Sequence, residues 1–287
     1  MSLSDRGQQD TASAQPPATP KLSISAIVPA FNEEWGIARC MTETAEALEQ
    51  LGFRYEVIVI DDGSSDDTLA RAHAAAAGNP CLRVAGGTHL GKGSALIRGA
   101  HSARGELVLF LDADLEVHPR QLEILYRALI DQHADVVIGS KLMRSSRIDY
   151  PLKRRILSIG YYLLIRTLFR LPIHDTQTGL KLYRREVLER VAPRLLVKAF
   201  AHDLEALVNA HRLGYRIVEA PVVVTRERPF PRIGLLTALH VAWDTAAVWY
   251  RTYLLRYYDR AGALVDANLA TREQLRARDS IPYTIDE

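Results

Sequence analysis

Residues 112–116, Asp112, Ala113, Asp114, Leu115 and Glu116, place three carboxylates at alternate positions. They follow Leu107 to Leu111, an unbroken apolar run of the kind that forms a strand buried on both faces of a parallel sheet. Alternation along an extended chain points Asp112, Asp114 and Glu116 to one side. Converging carboxylates repel one another unless a positive charge sits among them. A hard divalent cation, Mg²⁺ or Mn²⁺, held by these oxygens and completed by substrate phosphates, meets that need. The plainer alternative is a solvated acidic turn. Position at a strand end, where α/β sheets bind ligands, weighs against it.

Other polar groups also follow apolar runs. Ile24 to Pro29 reads as a first strand and leads into P-A-F-N-E-E at 29–34. A helix is expected from near Glu33, where acidic residues would suit the helix dipole. Glu56 to Ile60 reads as a second strand and runs into D-D-G-S-S-D-D-T at 61–68. Gly63 permits a tight turn, and Ser65 or Asp66 can cap the Ala-rich helix that follows. Capping leaves Asp61 and Asp62 unexplained. Leu82 to Ala85 precedes G-G-T-H-L-G-K-G at 86–93, where glycines allow close backbone approach and Lys92 brings a charge suited to phosphate. Its spacing is not that of a Walker A loop. Asp135 to Gly139 is a further strand, after a helix from about Pro119 to Gln132. Strands alternating with helices imply an α/β fold with a doubly wound, mainly parallel sheet.

After Gly139 a basic cluster appears: Lys141, Arg144, Arg147, Lys153, Arg154 and Arg155. Ile156 to Ile173 is strongly apolar, interrupted by Arg166 and Arg170; it suits a helix lying in a membrane interface or one packed on the core. H-D-T-Q-T-G-L-K-L-Y-R-R at 174–185 turns at Gly179 into a strand. Asp203 and Glu205 lie in a helical stretch at about 199–212, and Ile217 to Val224 reads as a late strand. Ile233 to Tyr258 is a second long apolar helix whose latter half mixes Trp, Tyr and Arg, as a membrane–water boundary favours. Four segments follow: a disordered arm at 1–20, a catalytic domain at 21–232 with an interface helix at about 152–172, an amphipathic aromatic-rich helix at 233–260, and a polar tail at 261–287.

The chain has 287 residues and a net charge of +2, too small to argue for a nucleic-acid partner. Cys40 and Cys81 lack metal-like spacing, as expected of structural thiols in a reducing compartment. No signal peptide and no spanning helix is read. The expected location is cytoplasmic, peripheral on the inner face of the membrane.

In order, P-A-F-N-E, D-D-G-S, G-K-G, D-A-D and T-G-L-K-L-Y-R-R resemble the motifs of family 2 glycosyltransferases, which have a GT-A fold. The resemblance spans roughly Ser23 to Leu239 and is nearest the dolichyl- or polyprenyl-phosphate mannose or glucose synthases. It implies that Pro29, Ala30, Asn32, Glu33, Asp61, Asp62, Ser64, Lys92, Asp112 and Ala113 bind a nucleotide-sugar donor. It likewise implies that Asp112, Asp114 and Glu116 hold Mg²⁺ or Mn²⁺. Asp112, Asp114, Lys141 and Asp175 are the candidate catalytic residues, and Lys141, Arg154, Ser158, Arg228 and Arg232 the candidate acceptor-phosphate residues. Arg226 is the alternative within that late arginine group. Lys stands at 141 where relatives often carry Arg, and it cannot form a bidentate fork to phosphate.

The expected activity is metal-assisted, inverting transfer of a hexose from GDP-mannose or UDP-glucose to a polyprenyl or dolichyl phosphate at the membrane surface. A small membrane-anchoring partner is consistent with the lack of a spanning segment. One alternative is a soluble glycosyltransferase acting on a hydroxyl, with Asp203 or Asp175 as base. The other is a nucleotide-sugar-binding subunit without turnover.

Overall fold

Short runs rich in Val, Ile and Leu form seven strands, and the pairing of those strands decides which loops meet. In the computed structural model the described residues are 22–147, 152–197, 201–225, 235–263 and 265–267, with backbone alone at 152–157 and 235–239. The strands are β1 (Ser23–Ala30), β2 (Arg54–Asp61), β3 (Leu82–Ala85), β4 (Leu107–Phe110), β5 (Val136–Ser140), β6 (Lys181–Arg184) and β7 (Ile217–Pro221). Their order across the sheet is β3-β2-β1-β4-β6-β5-β7. All neighbours pair in parallel except those of β6, which runs antiparallel to both β4 and β5. The expected mainly parallel sheet is present, with this one reversal.

Helices α1 (Ile37–Gln50), α2 (Thr68–Ala76), α3 (Lys92–Ser102), α4 (Leu122–Asp131), α5 (Leu152–Phe169), α6 (Arg185–Val191), α7 (His202–Arg212) and α8 (Leu235–Tyr253) flank it. Alternation along the strands sends Ile24, Ala26 and Val28 to one face, against Met41 and Leu48 of α1 and Leu125 of α4. Ile27, Ile58 and Ile60 face the other way, toward Leu96 of α3, Leu204 of α7 and Ile165 of α5. Both faces are dry, as a doubly wound sheet requires.

Two boundary differences from the sequence reading matter here. The first helix starts at Ile37, because the Glu33 carbonyl accepts from both Gly36 N–H and Ile37 N–H in a preceding turn. Glu33 and Glu34 therefore precede the helix, and its first turn holds no acid. The second long apolar helix stops at Tyr253, short of 258, and Arg256 takes φ +48° before residues 257–263 turn helical again.

That break carries Tyr258 into the core, where it is 3% exposed and its hydroxyl donates to Glu205 Oε1 at 2.5 Å. The other oxygen of Glu205 accepts from Leu196 N–H and Val197 N–H at 2.9 and 2.8 Å. Burial pushes the Glu205 carboxyl up, against these donors. Tyr258→Phe removes one donor from a carboxylate that water cannot reach. It is expected to cost about 1–3 kcal/mol in urea denaturation; a loss within error would show that the contact carries no stability.

Helices α5 and α8 lie side by side. Tyr161 Oη is 3.3 Å from Thr245 Oγ1, and the Phe169 and Tyr253 rings are 6.3 Å apart. The second contact lies two turns further along each helix, so the two run in the same direction. Ile165, Phe169 and Val248 are buried beneath them, while Ile159, Leu163, Trp243 and Tyr250 are exposed. Among the described residues no helix is long and apolar enough to cross a membrane. The 1–20 arm, most of the 261–287 tail, Arg226, Arg228, Arg232 and the Arg154 side chain lie outside what is described.

Candidate active site

The carboxyl ends of β1, β2 and β4, with the start of α3, enclose a cleft of about 260 Å³. Pro29, Ala30, Glu33, Asp62, Lys92, Asp112, Ala113 and Asp114 line it, so most of the expected donor residues meet in one place. Phe31 and His89 join them, with rings stacked at 4.2 Å between centroids. Neither was singled out from the sequence, although both lie inside motifs read there for their glycines, lysine and acids.

Asn32 and Ser64 instead clasp two turns together. Asn32 N–H donates to Ser64 Oγ and Ser65 N–H donates to Asn32 Oδ1, each at 2.9 Å. Asn32 holds φ +55°, a conformation that Asn tolerates better than most residues. Asp61 is 2% exposed; its Oδ2 accepts from Gly63 N–H and Ser64 N–H, and its Oδ1 is buried with no protein partner. A buried acceptor in that condition is costly unless a donor reaches it. Asp62 accepts from Leu90 N–H at 3.0 Å and Gly91 N–H at 2.8 Å. It thus shapes the loop that delivers Lys92.

The acidic residues converge, though not by strand alternation. β4 ends at Phe110, Leu115 takes φ +54°, and Glu116 N–H donates to Asp114 Oδ1 at 3.0 Å, so 112–116 is a turn. Asp112, Asp114 and Glu116 line a small gap together with Lys141 and Gly179. Lysines approach from both sides: Lys92 Nζ is 2.6 Å from Asp112 Oδ1 and Lys141 Nζ is 3.6 Å from Glu116 Oε2. Burial and the neighbouring Asp112 charge raise the Asp114 carboxyl above its ordinary range. For Lys92 burial opposes the charge, but Asp112 and then Asp203 outweigh it and hold the ammonium protonated. Among the described residues no three His, Cys, Asp or Glu side chains are grouped to hold a metal ion.

Across the gap, Asp175 Oδ2 accepts from Lys141 N–H at 2.9 Å and from Thr178 Oγ1 at 2.6 Å, while Oδ1 accepts from Gln177 N–H at 2.9 Å. Asp175 therefore positions Lys141 and folds the 175–178 turn. Gly179 lies against Asp112, and a Cβ there would overlap the Asp112 carboxylate. Asp203 sits deeper: it is 7% exposed and pairs with Lys181 Nζ at 2.9 Å, and Lys181 is itself 1% exposed. Burial works against the Asp203 charge, but Lys181 and Lys92 hold its carboxyl below the usual range. Lys181 had not been singled out, because a lysine opening a strand reads as a surface residue. Ser158 is half-buried on α5.

The sequence matches the profile of Glycosyl transferase family 2 over residues 25–192. Glycosyltransferase AglD of Haloferax volcanii is 34% identical over 204 residues, 70% of this chain and 33% of that protein. Dolichyl-phosphate beta-glucosyltransferase ALG5A of Trichomonas vaginalis is 34% identical over 209 residues, 69% of this chain and 64% of its own length. The chain thus spans about a third of the first and under two thirds of the second. Dolichyl-phosphate beta-glucosyltransferase of Dictyostelium discoideum is 30% identical over 249 residues, 81% of this chain and 75% of that one. Glucosyl-3-phosphoglycerate synthase of Mycobacterium tuberculosis, solved with Mn²⁺, uridine diphosphate and glucosyl-3-phosphoglycerate, superposes with a TM-score of 0.61 at 24% identity. That alignment covers 80% of this chain and 79% of the solved one, and establishes the shared GT-A fold. With the family profile covering more than half its length, in the order and positions of the strand-end motifs, the chain belongs to glycosyl transferase family 2.

Proposed function

We propose that the chain transfers glucose from a nucleotide diphosphate sugar to a polyprenyl or dolichyl phosphate, with inversion at the anomeric carbon, on the cytoplasmic face of a membrane. One observation carries the choice of acceptor: the two carboxylates that could serve as a base for a hydroxyl are both engaged. Asp175 accepts three hydrogen bonds, and Asp203 is buried against Lys181. A phosphate acceptor is already an anion and needs no base, only cations that bring it in line. Relatives named as dolichyl-phosphate beta-glucosyltransferases support the same reading.

In this scheme the stacked Phe31 and His89 rings offer an apolar wall to the base. Asp61 Oδ1 receives a donor from the nucleoside, and Lys92 faces the diphosphate. Lys141, held by Asp175, presents its ammonium to the acceptor phosphate, with Arg154, Ser158, Arg228 and Arg232 completing the acceptor side. The carboxylates of Asp112, Asp114 and Glu116 are hard oxygen donors; burial and then the Asp112 charge raise Asp114, and a divalent cation would relieve the second of these. Mg²⁺ or Mn²⁺ bound there would supply neutralisation of charge on the leaving diphosphate. The exposed apolar sides of α5 and α8 would meet the membrane or a small membrane-anchoring partner.

The test pairs UDP-glucose and GDP-mannose in turn with a polyprenyl phosphate in detergent. Lipid-linked glucose formed only from UDP-glucose, and abolished by a chelator, is the expected result. Transfer to a small hydroxyl compound, with none to lipid phosphate, would overturn the reading. Gly179→Ala is expected to push the Asp112 carboxylate out of place and slow transfer by about tenfold or more, with the fold retained by circular dichroism. Unchanged turnover would separate Asp112 from the chemistry.

A further inference from the structure

A second hollow, of about 380 Å³, opens at the carboxyl end of α5 and is lined by Tyr162, Arg166, Arg170, His174 and the 171–173 segment. Its wall is built inward from the sheet. Glu219 of β7 accepts from His174 N–H at 2.9 Å and lies 2.6 Å from His174 Nδ1. The His174 ring packs on Tyr162 at 4.9 Å, and Arg166 donates to Tyr162 Oη at 2.7 Å. Arg166 and Arg170 are exposed, and among the described residues neither has a carboxylate partner. Two guanidinium groups one turn apart, one of them fixed on a ring, make a receptor for a phosphate-type anion.

The source of that anion follows from the rest of the helix. Ile159, Leu163, Arg166 and Arg170 fall at i, i+4, i+7 and i+11, a single stripe along α5. Its first half is apolar and exposed, at 42% and 52%, and its second half is cationic. On the parallel neighbour α8, Trp243 is also exposed, at 76%. A free phosphate would gain nothing from the apolar half, whereas a lipid offers acyl chain and headgroup together.

We propose that this hollow binds the phosphate of an anionic membrane lipid that is not the substrate, while the Ile159–Leu163 stretch enters the bilayer interface. The site is separate from the acceptor position beside Lys141, yet Glu219 ties the two: it also accepts from Asp175 N–H at 3.0 Å, and Asp175 holds Lys141. A headgroup in the hollow thereby sets the orientation of the catalytic cleft on the membrane. The proposal rests on the membrane reading above and on no particular sugar.

The test is flotation of the full chain with vesicles of phosphatidylcholine, alone or mixed with phosphatidylglycerol. Wild type is expected to favour the anionic vesicles, and Arg166→Gln with Arg170→Gln to weaken that binding by about 30-fold, two surface cations' worth. Leu163→Ser should lower binding to both vesicle types alike. In detergent with a short polyprenyl phosphate, the double arginine variant should turn over as wild type does. No preference for anionic vesicles, or an arginine variant that floats like wild type, overturns the proposal. So does equal loss of turnover in detergent, which would place the arginines in the acceptor site. Calorimetric binding of glycerol phosphate to wild type, lost in the variant without any vesicle preference, would mean a free-phosphate site instead. Should wild type bind anionic vesicles through the arginines yet transfer no sugar, the headgroup site stands and the proposed activity falls.

Discussion

Asp114→Asn is expected to lower sugar transfer by about 10²–10³-fold, the usual size of losing one electrostatic contact to developing charge, while the nucleotide sugar still binds. Asp114 is the carboxylate raised by burial and by the neighbouring Asp112 charge. Taking its charge away relieves repulsion, so the variant should melt at the wild-type temperature or slightly above it. That combination sets a catalytic role apart from a structural one: a residue needed for folding would lose stability along with activity. Asp112 keeps Lys92 and Glu116 keeps Lys141, so the cleft retains its shape. Turnover measured beside calorimetric titration of UDP-glucose decides the matter. Unchanged turnover would remove Asp114 from the mechanism, and loss of donor binding in parallel would move it to the nucleotide site.

Lys181→Met should have the largest effect on stability. It strips the cation from Asp203 and the donor from the Thr178 carbonyl, which Lys181 Nζ meets at 2.6 Å. Breaking a buried pair from one side typically costs about 3–5 kcal/mol, a large part of the roughly 5–15 kcal/mol that holds a domain together. The sign with pH is defined. In the wild type the folded Asp203 carboxyl lies below its ordinary value, so its contribution is present above that value and is lost as pH falls through the folded one. In the variant burial is opposed chiefly by Lys92, so the carboxyl moves up from its wild-type position and protonation relieves more of the strain. The deficit in urea denaturation should therefore be greatest near neutral pH and shrink below about pH 5. A deficit that does not change with pH would mean that lost packing, not the uncompensated charge, is responsible.

Much of the donor half was legible in the chain because it obeys one rule: an apolar run buried on both faces, then polar residues at its carboxyl end. Asp62 and Asp112 reach the cleft by that rule. The manner of arrival at the acidic residues was not legible. Leu115 adopts a left-handed conformation that an apolar residue does not advertise, so a turn was read as an extended strand. The aromatic residues of the 233–260 segment were equally ambiguous. Tyr258 is held by Glu205 in the core while Trp243 faces outward, and hydrophobicity alone draws no distinction between them. The direction of β6 was hidden for a simpler reason: four residues, K-L-Y-R, alternate identically read either way.

That reversed strand governs where this fold accepts changes in loop length. In the parallel strands β1, β2, β3 and β4 the site follows the strand, so the connections that precede them lie at the opposite ends of the strands. An added or lost residue at 77–81 or 103–106 is absorbed there, far from Asp112. Because β6 runs the other way, its starting end lies beside the carboxyl ends of β4 and β5, and the connection before it, 170–180, borders the site. A single insertion between His174 and Gly179 displaces the residues that touch Lys141 and Asp112 directly. Natural length variation should therefore collect at those far ends and be sparse in this one loop.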